Sequence, residues 1–490
     1  MSYVLGIDLG TSSLKGVLVN RNGEVIETTS SPYSLQHLQQ GYSEQRPNDW
    51  IRAFEQVIKK LSEQVSDFSE QLAGISISGQ MHSLVLLDEA GEVLRPAILW
   101  NDTRTTKQCQ QVSEELGEEL FVITKNDALE GFTLPKILWI QQNEPEVWQK
   151  VRHILLPKDY LGYYLTGTYH SDYSDAAGTL LFDVGESCWS EQVASKFKIP
   201  LDYLPEVVDS SQAIGNLRDE LATMFQLKQE VTIFAGGADN ACAAVGAGIL
   251  TPEVAMVSIG TSGVFLTYEG NAAPNYQGKL HCFNHAIPAN YYSMGVTLTA
   301  GYSLNWFKEM FAPTLSYEEL LQSIDSIEPG SNGLLFAPYL LGERTPHRDS
   351  HVRASFIGID ASHSFVHFVR SVLEGITFSL KDSQTLLADV ADKSFTKIIS
   401  IGGGAKNKDW LQMQADIFNA DIVTLKVEEG PGMGAAMLAA VGLGWFADIN
   451  ECAQKFITYS EAIKPIKANV EQYKEIYSHY RKVYLQTKEL

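Results

Sequence analysis

Along Val4–Val19, "VLGIDLGTSSLKGVLV", an apolar run breaks at Gly-Thr-Ser-Ser and then resumes. The pattern predicts a strand, a tight turn and a second strand. "NDWIRAFEQVIKKLSEQV" then repeats its apolar residues at helical spacing, with Asn48 or Asp49 as the candidate cap. "AGISISG" (Ala73–Gly79) reads as a strand, and "HSLVLLDEAGEVLRPAILW" as two more around the Ala90-Gly91 turn. Further on, "VTIFAGGADNACAAVGAGIL" predicts a strand, a glycine turn and a helix of small residues. "KIISIGGGAKN" (Lys397–Asn407) leads into the helix "DWLQMQADIFNA", the strand "DIVTLKV" and the helix "PGMGAAMLAAVGLGWF". A closing helix is expected over "VEQYKEIYSHYRKVYLQ". Strand and helix periods alternate throughout, so the fold class is α/β.

The plan of the opening segment recurs. "IDLGTSSLKGVLV" and "VSIGTSGVFLT" superpose on their Gly-Thr-Ser, which predicts two lobes of one ancestral design facing each other across a cleft. The boundary is placed near residues 246–253, giving lobes of residues 1–248 and 249–490. Asp8 stands out against this background. Burying an unpaired carboxylate on an apolar strand is expensive, so Asp8 should either reach a surface or serve a partner.

Composition narrows the options. The 490 residues exceed one core, and 44% apolar with 20% charged residues is ordinary for a globular chain. No apolar run is long enough to span a bilayer, and "MSYVLGID" lacks the features of a signal peptide. Five scattered cysteines form no CxxC pair, which fits a reducing cytoplasm. A formal charge of −22 argues against nucleic-acid or anionic-membrane partners. Any anionic substrate must therefore be held by local dipoles and a cation.

No GxxxxGK[ST] loop exists, because the only Gly-Lys pair, Gly278-Lys279, is followed by Leu. Three other glycine turns follow strands, at Gly10-Thr-Ser-Ser, Gly260-Thr-Ser-Gly and Gly402-Gly-Gly-Ala. Each presents successive backbone N–H groups that can cradle an anion. One such turn is weak evidence, but two in repeat-related positions and a third between them and the C-terminus point to a nucleotide held between lobes.

"GFTLPKILWIQQN" and "ASFIGIDASHSFVHFVRSVLE" fit two long signatures, and over nearly its whole length the chain resembles the FGGY carbohydrate kinases. That family belongs with actin, hexokinase and the heat-shock chaperones, so the resemblance implies two actin-like (ribonuclease H-like) lobes. Within it, "SGQMHSLVLLD", "RPAILWNDTR", "LLPKDYL", "SDYSDAAGT" and "PYLLGERTPH" are similar to the branch acting on D-xylulose. The implied reaction is transfer of the γ-phosphoryl of ATP to the sugar 5-hydroxyl, feeding pentose catabolism.

By this resemblance Asp239 in "GGADN" is the catalytic base, although an Asp at a helix start could also be a simple cap. The helix N-terminus is expected to keep it ionised. Asp8 would serve Mg2+, through water, because magnesium gives up its hydration shell reluctantly. Thr11, Ser12, Ser13 and Lys15 would line the first phosphate loop, and Gly260, Thr261 and Ser262 the second. Gly403, Gly404 and Asn407 resemble an adenosine-contacting turn. Met81 and His82, with Asn240, match sugar-contacting residues. Trp100, Asn101, Asp102 and Arg104 are expected to complete the sugar pocket, Arg104 being equally readable as a structural ion pair. Partners implied are the sugar and ATP, without nucleic acid or membrane, and a homodimer is an arrangement that exposed faces on such folds often adopt.

Two positions depart from the D-xylulose branch: Ala238 and Ser83 stand where Gly is usual. Met-His-Ser also occurs in gluconate kinases of the family, so Ser83 favours gluconate, whereas Gln80 and Asn240 favour xylulose. A gluconate site needs a cation for the carboxylate, and none is assignable from sequence. Ribulose and glycerol kinases are further alternatives. A nucleotide-switched, non-catalytic actin-like protein would need the two Gly-Thr-Ser loops but neither Met81-His82 nor Asp239. His281, Cys282 and His285 have ligand-like spacing without a second cluster, and His363 with His367 lacks an HExxH pattern, so neither is read as a metal site.

Overall fold

The computed structural model describes residues 2–270 and 274–489. The first sheet comprises β1 (Tyr3–Leu9), β2 (Ser13–Asn20), β3 (Val25–Pro32), β4 (Leu72–Gly79), β5 (Ala213–Asn216) and β6 (Thr232–Ala238), in spatial order β5-β6-β4-β1-β2-β3. Strands β1, β2 and β3 form an antiparallel meander, while β4 lies parallel to both β1 and β6. The second sheet comprises β7 (Val254–Ile259), β8 (Gly263–Glu269), β9 (His281–Asn284), β10 (Tyr291–Thr297), β11 (Lys397–Gly402) and β12 (Asp421–Val423), in order β9-β10-β8-β7-β11-β12. Its β7, β8 and β10 form the meander, and β11 lies parallel to both β7 and β12. The repeated Gly-Thr-Ser thus reports a repeated topology, and Ser258 takes in the second sheet the position Asp8 takes in the first.

Helices fix how the sheets meet. α1 (Pro47–Gln64) buries Trp50, Phe54, Val57 and Leu61 at its spaced apolar positions. It starts at Pro47, not at an Asn48 or Asp49 cap, because proline's fixed φ and missing N–H suit the first helical position. α2 (Pro157–Thr166) follows, then α3 (Asp239–Ala247), which begins where β6 ends. In the second half lie α4 (Gly301–Phe311), α5 (Phe365–Ala391), α6 (Lys408–Phe418), α7 (Pro431–Gly442) and α8 (Lys467–Thr487).

The small residues of α3 and α7 have one purpose. These helices cross so closely that a Cβ on Gly434 would sit 1.9 Å from the Cys242 carbonyl oxygen. α7 also packs on β1, β4 and β6, the strands of the other lobe. The expected division at residue 248 therefore separates the sheets, while the helix of residues 431–442 crosses back over it.

Two expected strands of the segment 82–100 are short and lie outside the main sheets. Val85–Leu87 pairs with His153–Leu155, and Ala97–Ile98 with Glu44–Gln45. The strand expected over residues 421–427 ends at Val423.

Candidate active site

The C-terminal ends of the parallel strands β1, β4 and β6 converge on the cleft, where open α/β sheets place their ligands. They deliver Asp8, the pair Met81-His82, and Asp239. β6 reaches its end through a bulge: its register against β4 shifts between Phe234 and Gly237. At Gly236 φ is +70°, and a Cβ there would lie 1.8 Å from the Ile77 carbonyl oxygen, so only glycine fits. The next turn is held by the Ala238 N–H donating to Ser174 Oγ at 2.9 Å.

Asp239 opens α3 with one carboxylate oxygen already engaged. Its Oδ1 accepts from the Asn240 backbone N–H (2.6 Å) and from Asn240 Nδ2 (2.9 Å). The second oxygen is left to face the cleft. Burial, with Asp8 adding to it, raises the Asp239 pKa to about 7 despite both Asn240 bonds. The expectation that the helix N-terminus keeps this group ionised holds only in part near neutral pH, because desolvation outweighs the Asn240 N–H groups. A base with this pKa is matched to neutral pH. Since the ionised form accepts the proton, kcat/KM for sugar should fall about tenfold per pH unit below an apparent pKa no higher than about 7. A pH–rate profile with a flat acid limb down to pH 5 would contradict it.

Asp8 is the one position of β1 that is not fully buried. Its neighbours across the sheet are Lys15 and Ser78. Burial pushes its pKa to about 6, against the lowering pull of Lys15. Two carboxylates that repel each other at the floor of a cleft, one without a hydrogen-bond donor among the described residues, suit a divalent cation with oxygen ligands.

The two Gly-Thr-Ser loops are built alike with different parts. In the first, the Gly10 carbonyl accepts from Tyr33 Oη (2.5 Å) and Gln80 Nε2 (3.4 Å), and the Thr11 carbonyl from Gln45 Nε2 (2.6 Å). In the second, the carbonyls of Gly260 and Thr261 accept the N–H groups of Gly301 (2.8 Å) and of Ala300 and Tyr302 (both 3.1 Å). The carbonyls are tied back. Among the described residues the N–H groups of Thr11, Ser12, Thr261 and Ser262 have no acceptor, which leaves them for an anion. Lys15 is less free than expected, because it bridges to Glu429 at 2.5 Å. Ser13 begins β2 beside the first loop.

Two cavities flank the second loop. The larger, about 730 Å³, is lined by Gly260, Thr261, Gly403, Gly404 and Asn407, together with the start of α4. Asn407 also caps α6, its Oδ1 accepting from Trp410 N–H at 2.8 Å. The smaller, about 250 Å³, brings together Met81, His82, Trp100, Asp239, Asn240 and Ser262. His82 is held in the left-handed region at φ 67°, with Nδ1 2.5 Å from the Gly178 carbonyl. That contact requires Nδ1 to carry the proton, and burial lowers the pKa to about 3, so the ring is neutral and Nε2 is an acceptor. Met81 Sδ receives Asn240 Nδ2 and Tyr292 Oη, both at 3.7 Å. Trp100 joins this cavity to the first loop, its Nε1 donating to Thr11 Oγ1 at 2.9 Å.

Three expected sugar-pocket residues lie elsewhere. Arg104 makes a bidentate bond to Asp102 (2.9 and 2.7 Å), pairs with Glu44 (2.7 Å) and stacks on Tyr42. Asp102 also accepts the Ser43 N–H at 2.6 Å. This buried pair locks the segment just after Trp100 against Ser43 and Glu44, and Asn101 is exposed outside the cavity. Ser83 is fully buried, with its Oγ accepting the Trp100 N–H at 3.1 Å, so its identity does not read the sugar. The sequence reading missed His281, Phe132 and Arg344, which line the smaller cavity from separate segments. The one available signal for Arg344 was its place in "GERTPH". Neighbouring His363 and His367 accept backbone N–H groups of Asp360 and Ser364 at the start of α5.

Residues 3–246 match the N-terminal domain, and residues 255–443 the C-terminal domain, of the FGGY family of carbohydrate kinases. The chain belongs to that family. It is 54% identical over 491 residues to a xylulose kinase of Lactococcus lactis subsp. lactis, covering 100% of this chain and 98% of the relative. Among solved structures, a ligand-bound xylulose kinase from Lactobacillus acidophilus superposes with a TM-score of 0.94 at 26% identity, covering 99% of this chain and 98% of that one. A gluconate kinase from the same organism gives the same TM-score, identity and coverage. The backbone therefore does not separate the two sugars.

Proposed function

We propose that this chain transfers the γ-phosphoryl group of ATP to the 5-hydroxyl of D-xylulose, giving D-xylulose 5-phosphate and ADP. The observation that carries the reading is one cavity in which Asp239, Met81, His82 and Asn240 meet Ser262 of the second phosphate loop. The high full-length identity to a protein named xylulose kinase supports the choice of sugar.

In this reaction the bond from the γ-phosphorus to the β-bridging oxygen breaks and the bond to sugar O5 forms. The free oxygen of Asp239 takes the O5 proton, and His82 Nε2 accepts from a second sugar hydroxyl. Phosphoryl transfer depends mainly on positioning and on stabilising spread charge, which the paired N–H loops supply. The adenosine portion suits the larger cavity against the bare backbone of Gly403 and Gly404. Asp8, with Asp239 nearby, would hold Mg2+ through water, and the cation would offset phosphate charge that a net −22 chain otherwise repels. We place sugar binding and the base in residues 1–248 and most nucleotide contacts in residues 249–490. A cytoplasmic location fits an ATP-fed reaction, and no helix among the described residues is long and apolar enough to cross a membrane.

His82→Ala should raise the KM for D-xylulose about tenfold or more, through loss of a buried acceptor, while leaving the KM for ATP within about twofold. Equal rises in both would remove His82 from the sugar site. The function itself is tested by ADP release with D-xylulose, L-ribulose, D-ribulose, gluconate and glycerol side by side. D-Xylulose should give the highest kcat/KM by a wide margin, and a higher value for gluconate would overturn the substrate assignment.

A further inference from the structure

The cleft contains a cation to which the mechanism above gives no task. Arg344 reaches the smaller cavity from the second lobe and lines it with His82, Asp239 and His281. Its backbone is fastened on both sides. The Glu343 carboxylate accepts the N–H groups of Arg344 (2.7 Å) and Leu298 (3.2 Å) on one oxygen and Ser379 Oγ (3.0 Å) on the other. Thr345 exchanges two 3.1 Å bonds with Val296 of β10. The loop cannot easily swing the side chain out to water.

The hydrogen bonds of residue 344 run through its backbone, so the guanidinium has no ion-pair or hydrogen-bond partner among the described residues. Glu343 is spent on its own three donors. Glu130, the other carboxylate whose charge Arg344 feels, accepts from Thr106 Oγ1 at 2.9 Å. His82 and His281 beside it are kept neutral, chiefly by burial and to a lesser extent by its positive charge, and offer it no anion. A half-buried fork of five N–H donors facing a largely apolar cavity is costly unless something accepts from it.

The cavity's polar groups are thereby divided. Asp239 and His82 Nε2 accept, and suit hydroxyl groups. Arg344 only donates; a hydroxyl oxygen could accept from it, but an oxygen with no proton of its own to place is the better match. A ketose has one such oxygen, its carbonyl, away from the hydroxyl that reacts. We propose that Arg344 is a specificity-determining residue that donates to the carbonyl end of the sugar, remote from the reacting hydroxyl. It supplies the cation that the sequence did not reveal. Because it comes from the second lobe while Met81, His82 and Asp239 come from the first, the sugar would touch both lobes.

The inference rests on the D-xylulose reading, and the test separates the two. Competitive inhibition of D-xylulose phosphorylation is measured with D-xylonate, which carries a carboxylate at that end, and with xylitol, which carries neither carboxylate nor carbonyl. Wild-type protein should bind D-xylonate about tenfold or more tighter than xylitol, the scale of a bidentate charge-assisted pair. Arg344→Gln should abolish that preference and raise the KM for D-xylulose about tenfold, with the KM for ATP little changed. Arg344→Lys, which keeps the charge without the fork, should retain part of the preference and serves if the glutamine variant does not fold. A wild-type enzyme that prefers xylitol, or a preference for D-xylonate that survives both substitutions, overturns the proposal while leaving the D-xylulose reading intact. A wild-type enzyme that does not turn over D-xylulose overturns that reading instead.

Discussion

Replacing Asp239 by asparagine is expected to lower kcat by about 10²- to 10⁴-fold, the range in which a positioned general base contributes. Asparagine keeps the shape of the side chain and can still meet Asn240, but it cannot take the O5 proton. Nucleotide affinity should stay within about threefold, because the loops that hold phosphate are braced by Tyr33, Gln45, Gln80 and the start of α4, and not by Asp239. The KM for D-xylulose should change modestly. Turnover above a tenth of wild type would remove Asp239 as the base.

The second large effect lies beneath the base. Lys158 is fully buried with its ammonium 2.6 Å from Asp159, 3.0 Å from Asp172 and 3.7 Å from Asp175. Asp172 accepts from Ser174 Oγ (2.5 Å) and Ser210 Oγ (2.8 Å), and Ser174 Oγ in turn accepts the Ala238 N–H. Lys158→Met therefore strands buried carboxylates and loosens the turn that aims Asp239. Breaking such a group from one side costs about 3–5 kcal/mol. A drop in melting temperature of roughly 5 °C should follow, with kcat reduced more than the KM for ATP.

The pH dependence is specific. Carboxyls left without the ammonium have folded pKa values above their unfolded ones, so the folded state binds more protons and gains stability as pH falls. The deficit of Lys158→Met should thus be largest at neutral pH and shrink toward pH 4. A deficit that does not vary with pH would mean that the lysine acts through packing alone.

These two sites differ in how far the sequence disclosed them. The repeat of Gly-Thr-Ser gave away the doubled sheet, because a strand that must end in a tight N–H-rich turn has few alternatives to glycine and small hydroxyl residues. Asp8 drew notice because a carboxylate on an apolar strand is conspicuous, whereas Asp239 was singled out by family resemblance, its position alone reading equally as a helix cap. Asp102 and Arg104 misled for a physical reason: they neighbour Trp100 in the chain, but Glu44 and Tyr42 from a different segment draw them away from the cavity. Ser83 carried weight as a motif letter, yet its hydroxyl serves the backbone of Trp100. Arg344 and His281 could not be placed, since nothing local to the loop of Arg344 or to strand β9 says that it meets the end of a strand in the other lobe. Long-range convergence is what a single sequence conceals, and it is what completes the smaller cavity here.

On this reading the cleft carries the phosphoryl group of ATP to a sugar hydroxyl oxygen and does not merely bind and hydrolyse nucleotide. The most direct measurement is 31P NMR of the wild-type reaction with Mg-ATP, followed with and without D-xylulose. ADP and a sugar phosphate bearing phosphorus on O5 should form together, and only when the sugar is present. Inorganic phosphate released at the same rate with or without D-xylulose would contradict it.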